Sequence, residues 1–171
     1  YLGWSALFCL NIDAYSGKSP LGLLCEAMVR KRGMKMKTMN IILMGGPGSG
    51  KGSMAERILE KYPLVHIATG DLLRKNASQG TELGKQAKTY MDQGALVPNE
   101  ITYQILEAGM ADVGPDQGIL LDGFPRNMEQ AKKLDEIFER IGREISLVIQ
   151  VDLDDETIVE RTGKRRVCTE C

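Results

Sequence analysis

Asn40-Ile41-Ile42-Leu43-Met44 runs directly into Gly45-Gly46-Pro47-Gly48-Ser49-Gly50-Lys51-Gly52-Ser53. The apolar stretch predicts a strand, the glycine-rich run a loop, and the residues from Lys51 onward a helix. Such a loop turns successive backbone N–H groups into one concavity. The positive end of a helix dipole and the lysine add charge to it. Glycine serves here because the backbone must take conformations closed to residues with a Cβ and must approach phosphate oxygens closely. The pattern G-x-x-x-x-G-K is met over 45–51, and strand, glycines, lysine, hydroxyl and helix come in the required order. That order favours phosphate binding over a loop that merely turns. The rival dinucleotide fingerprint G-x-G-x-x-G fails, because Lys51 or Ser53 stands where its third glycine belongs.

The rest of the composition is that of an ordinary globular protein. Its 171 residues suit one domain, with 43% hydrophobic and 26% charged residues. Lys+Arg 22 against Asp+Glu 23 leave a net charge of −1, so no overall field recruits nucleic acid or an anionic membrane. Positive charge is local, in Arg30-Lys31-Arg32 with Lys35 and Lys37, and again in Arg161, Lys164, Arg165 and Arg166. No apolar run approaches the roughly 18 residues of a membrane span. Four cysteines do not make a disulfide scaffold, which points to a reducing cytoplasm.

Residues 1–38 do not resemble the remainder of the chain and are expected to be an extension, disordered or foreign to a domain that starts at Met34, Met36 or Met39. From Asn40 strand and helix alternate. Leu64-Val65-His66-Ile67 predicts a strand, and polar helices are expected over 71–77 and 81–93. Asn99 is placed to cap a helix carrying Ile101, Ile105 and Ala108. Gly118-Ile119-Leu120-Leu121-Asp122 predicts a buried strand ending in a carboxylate. Asn127 and Gln130 fit a capping box for a helix that Gly142 stops. Ile145 to Val151 predicts the last strand, and Asp154 caps a short helix after it. The fold class is therefore α/β: a P-loop NTPase-type parallel sheet flanked by helices. His66, the only histidine, is expected to pack beside a loop. Met91, Met110 and Met128 are expected in the core or on helix faces.

Four collinear blocks, GGPGSGKGS, HIATGDLLR, ALVPNEIT and LLDGFPRNMEQA, resemble the adenylate kinase family of nucleoside monophosphate kinases over 39–171. The resemblance implies transfer of the γ-phosphoryl of ATP to AMP with Mg²⁺, in a monomer that binds neither nucleic acid nor membrane. It implies that Gly48, Ser49, Gly50, Lys51, Gly52 and Ser53 cradle the ATP phosphates, with Arg165 covering ATP. It assigns Thr69, Arg74, Ala95, Leu96, Val97, Gly123, Phe124, Pro125, Arg126 and Gln130 to AMP. Lys51, Arg126 and Arg165 are then the catalytic cations, and Asp122 and Asp71 hold waters of the Mg²⁺ shell. The segment 68–97 corresponds to the mobile monophosphate-binding part, and 162–171 to the start of a lid. Taken singly, Arg74 and Arg126 would read as surface cations and Asp122 as a turn residue; together with the loop they read as a site.

The chain also departs from the family. Ala68 replaces a usual serine, and Lys164 a usual glycine. Cys168 and Cys171 look like half of a zinc knuckle, but tetrahedral zinc needs four ligands, so no stable zinc site is expected without the other half. The rest of the lid, a final strand and a helix are missing from the pattern, and this chain by itself is expected to have little kinase activity. Two alternatives stay open: a UMP/CMP kinase, against which Thr69 speaks, and a non-catalytic nucleotide-binding module.

Overall fold

Asn40–Gly45 is buried over its first four residues, as the central strand of a parallel sheet must be. The structure, a computed structural model, describes residues 9–13 and 39–164. Its strands are β1 (Cys9–Asp13), β2 (Asn40–Gly45), β3 (Leu64–Ala68), β4 (Gly118–Asp122) and β5 (Leu147–Asp152). All pairings are parallel, in the order β1-β5-β2-β4-β3. The helices are α1 (Lys51–Lys61), α2 (Thr69–Gln79), α3 (Glu82–Asp92), α4 (Asn99–Ala111), α5 (Met128–Arg140) and α6 (Asp155–Lys164).

Alternation along each strand divides the core in two. Ile41, Leu43, Leu120 and Ile149 point to one face and meet Ala55 and Ile58 of α1. Ile42, Ile119, Leu121 and Val148 point to the other and meet Leu106 of α4 and Leu134 and Phe138 of α5. A third cluster, around Ala87, Ile101 and Ile105 with Leu72, Leu83 and Met91, joins α2, α3 and α4 beside the sheet. At the amino end of the strands Arg143 donates to Asn40 Oδ1 and to the carbonyls of Val113, Gly114 and Gln117, at 2.7–3.3 Å. One guanidinium thus ties the loop before β4 to the start of β2.

Three observations depart from the sequence reading. Cys9–Asp13, within the stretch expected to be disordered, pairs with β5 from Cys9↔Val148 to Asp13↔Asp152. Beyond β2, β5 has a second edge of backbone donors and acceptors, and an extended segment satisfies them. The rest of 1–38 lies outside the described residues, as do Arg165, Cys168 and Cys171. Asn99 is the first residue of α4 and makes no cap; the flanking position is Pro98. His66 does not pack inward: it is exposed on edge strand β3, with Nε2 3.7 Å from Asp122 Oδ2.

Candidate functional site

Three of the segments that bear chemistry leave the carboxyl ends of β2, β3 and β4, the end at which open α/β sheets bind ligands, and residues 95–97 join them from the loop between α3 and α4. β2 runs into the loop 45–50. Gly45 sits at φ +154, and a Cβ there would lie 2.6 Å from the Val151 carbonyl oxygen, so the loop begins hard against β5. Gly50, at φ +90, takes the flanking position of α1 and brings no capping side chain. No side chain therefore caps the amino end of α1, the end whose dipole favours an anion. Lys51 folds back and donates from Nζ to the carbonyls of Gly45 at 2.6 Å and Gly46 at 2.8 Å. Ser49 is buried, and its hydroxyl has no hydrogen-bond partner among the described residues.

β4 delivers the second loop. Asp122 ends the strand, Gly123 turns at φ +78, and Phe124-Pro125 is a cis peptide. Arg126 then donates from Nε to the Gly123 carbonyl at 2.9 Å, which leaves its outer nitrogens for an anion. Behind it Gln130 accepts the Arg126 backbone N–H on Oε1 at 2.8 Å and gives its own N–H to Asn127 Oδ1 at 2.8 Å. This is the expected reciprocal cap, with the return bond shifted one residue upstream. β3 leads through Thr69 into α2, and the Thr69 hydroxyl donates to the Asp122 carbonyl at 3.4 Å.

Three cavities form a row across these strand ends. The first, about 280 Å³, is lined by Thr69, Arg74, Ala95, Leu96, Val97, Gly123, Phe124, Arg126 and Gln130. The second, about 680 Å³, lies between the loops and is lined by Lys51, Gly123, Phe124, Pro125 and Arg126. The third, about 640 Å³, is lined by residues 47–53 with Asp122, Arg161, Thr162 and Lys164. Arg74 and Lys51 share none of them; Arg126 joins the first to the second, and Lys51 the second to the third. The three cations therefore stand along one cleft of adjoining cavities. Arg74 is paired with Asp71, and both side chains are about two-thirds exposed. So exposed an ion pair is worth little and yields readily to a doubly charged phosphate.

The adenylate kinase family model matches residues 43–167, 125 of the 171. The chain belongs to the adenylate kinase family. It is 50% identical over 133 residues to an adenylate kinase of Agathobacter rectalis, and 47% identical to those of Staphylococcus aureus and Staphylococcus epidermidis. In each case the alignment covers 78% of this chain, which spans 62% of the relative's length.

Of the adenylate kinase residues expected from sequence, all that fall among the described residues line the cleft, except Asp71. That carboxylate faces Arg74 within one turn of α2 and lines none of the three cavities. Asp122 fits a magnesium ion better. Asp122, whose Oδ2 lies 3.7 Å from His66 Nε2, lines the cavity of the phosphate loop together with Ser53, and a hard cation takes such oxygens through its waters. Among the described residues no group of three or more His, Cys, Asp or Glu stands ready to hold a metal directly.

Several residues of the cleft went unassigned by sequence, among them Arg161, Thr162, Gln150 and Asn99. Arg161 reaches from α6 to the Gly48 carbonyl at 3.4 Å, and Thr162 lines the same cavity. Gln150, the outward residue of an otherwise buried stretch of β5, lines the middle cavity. Asn99 lines the first. The basic run containing Arg161 was visible; the other three give no local signal.

Proposed function

We propose that this protein transfers the γ-phosphoryl of ATP to AMP, giving two ADP. The observation that carries the reading is the position of Arg126. It borders both the cavity that holds Arg74 and the cavity that holds Lys51, so two phosphate groups bound from opposite ends would meet beside it. ATP takes the loop 48–53, where the amino end of α1 and Lys51 oppose its charge, and Lys51 follows that charge as it moves. AMP takes the smaller cavity, with Arg74 and Arg126 forked on its phosphate and its base between Thr69, residues 95–97 and Gln130. A phosphate oxygen is the nucleophile, so no strong base is required, and neither His66 nor Tyr103 supplies one. Magnesium, carried with ATP and held through water by Asp122, neutralises the charge of the phosphates when bound. The chain acts as a monomer in the cytoplasm. No helix among the described residues is long and apolar enough to cross a membrane, and the net charge of −1 gives no general attraction for nucleic acid.

The test is binding of a bisubstrate analogue in which two adenosines are joined through five phosphates. It should bind the full chain at least about 10²-fold more tightly than ATP or AMP alone, because one ligand spans both ends of the cleft. An affinity no better than that of ATP would leave only a phosphate-binding module.

A further inference from the structure

Ser49 is 1% exposed, and its hydroxyl has no hydrogen-bond partner among the described residues. A buried hydroxyl left in that state costs stability, so its presence inside the phosphate loop calls for a reason. Its neighbours supply one. A Cβ built on Gly45 would lie 2.8 Å from Ser49 Oγ and 3.3 Å from Lys51 Cγ, so the hydroxyl and the lysine stem crowd the same side of Gly45. From there Lys51 Nζ donates to the Gly45 and Gly46 carbonyls, at 2.6 and 2.8 Å. The Gly46 carbonyl also accepts the Ser49 backbone N–H at 3.3 Å, and it keeps that bond if the lysine leaves.

We propose that Ser49 is a positioning residue whose hydroxyl takes over the Gly45 carbonyl when Lys51 turns from the loop to a phosphate. The inference rests on the reading of the loop as the ATP phosphate site. An ammonium is a single point of charge on a flexible stem. Lys51 cannot stay on both loop carbonyls and also follow a phosphoryl group into the middle cavity, which it lines as well. A carbonyl that loses its donor away from water carries the whole cost of its desolvation. A serine hydroxyl is a donor that turns about its own side-chain bonds, so it answers that loss without any change of the backbone. The hydroxyl is thus a burden while the lysine stays on the loop and an asset once it leaves. The loop then keeps its shape around the phosphates although the cation that braced it has moved.

The experiment is a double-mutant cycle on the full chain: the parent, Ser49→Ala, Lys51→Met and the double variant. Each is unfolded by heat without nucleotide, and the parent and Ser49→Ala are titrated with ATP and with AMP by calorimetry. While Lys51 holds the carbonyls, Ser49→Ala removes an unpaired buried hydroxyl and should raise the melting temperature by about 2 °C. In the Lys51→Met background the hydroxyl already serves the Gly45 carbonyl, so the same change should lower the melting temperature by about as much. Ser49→Ala should weaken ATP binding about fivefold and leave AMP binding as in the parent. A purely structural serine would shift stability in one direction in both backgrounds. Shifts of the same sign, or ATP binding untouched by Ser49→Ala, overturn the proposal. A parent that binds no ATP overturns the phosphate reading of the loop instead, and the signs of the two shifts still decide whether hydroxyl and lysine exchange on Gly45.

Discussion

Lys51 and Arg126 show how much one side chain decides in this cleft. The Lys51 ammonium holds two loop carbonyls and places a point charge at the phosphate loop. Lys51→Met should weaken ATP binding about 10²-fold, the worth of a charge-assisted bond, while AMP binding at the far cavity changes little. Calorimetry with each nucleotide checks this, and equal losses for both would contradict it. Arg126 bonds the Gly123 carbonyl through Nε and still presents two nitrogens, which a lysine cannot do. These residues were legible in the sequence because each sits in a motif whose spacing determines its place. Asn99 was misread as a cap, and Asp71 stands apart from the three cavities. An asparagine before an apolar helix looks like a cap, and nothing local announces its partner, Gln130 Nε2, 31 residues away. Asp71 and Asp122 look alike as carboxylates beside glycines. Helical geometry gives Asp71 to Arg74 three residues on, whereas a strand end delivers Asp122 to the loop.

Among the elements, the pair α2 and α3 is set by how closely it packs. A Cβ on Gly84 would lie 2.0 Å from the Asn76 carbonyl oxygen, so the two helices touch backbone to backbone. Gly84→Ala must push them apart, at a cost of about 1–3 kcal/mol. It should lower the melting temperature and raise the apparent Kd for AMP more than that for ATP, because α2 carries Arg74 and the loop after α3 carries residues 95–97. The sequence displayed α3 through Leu83, Ala87, Tyr90 and Met91 at helical spacing, but a glycine at a helix crossing looks the same as one that merely weakens a helix. Arg143 gives a second prediction. Removing it strands the carbonyls of Val113 and Gln117 and Asn40 Oδ1, whereas Gly114 keeps the Gln117 N–H, so Arg143→Ala should cost about 2 kcal/mol in denaturant unfolding and leave both nucleotide affinities unchanged. At α6, the Asp154 carboxylate takes the Thr157 N–H and hydroxyl, each at 2.8 Å, and these bonds hold its pKa below the ordinary aspartate value. Because folding lowers that pKa, the cap is complete above the unfolded carboxyl's range and is lost only as pH falls through the lower folded value. The Thr157 amide resonance should therefore titrate with a midpoint below that of a free aspartate; a midpoint at or above it would show that the cap does not form.

At the scale of the molecule, alternating apolar strands and amphipathic helices foretold a parallel sheet covered on both faces, since only burial on both sides tolerates runs such as Gly118-Ile119-Leu120-Leu121. Strand order was not legible, because it depends on which edges are left to fill. β1 is the case in point. It lies before the stretch 43–167 that matches the family, yet it takes the outer edge of β5. β5 in turn backs the phosphate loop: its Val151 carbonyl is the group that a Cβ on Gly45 would strike, and Gly45 pairs with Val151 in the register. The order of support runs from β1 to β5 to the first glycine of the loop. In a parallel strand successive residues turn their N–H groups to opposite sides, so of two adjacent residues one faces β5. Leu10→Pro with Asn11→Pro therefore removes at least one ladder bond whichever side each faces. Hydrogen exchange should report the change locally, with the β5 amides over 148–152 opening about tenfold more often and those of β4 unaffected. ATP binding should weaken in step, because a β5 that opens leaves Gly45 without its backing. Unaltered exchange over 148–152 would mean that β5 keeps its order without β1, and that the loop depends on β2 and α1 alone.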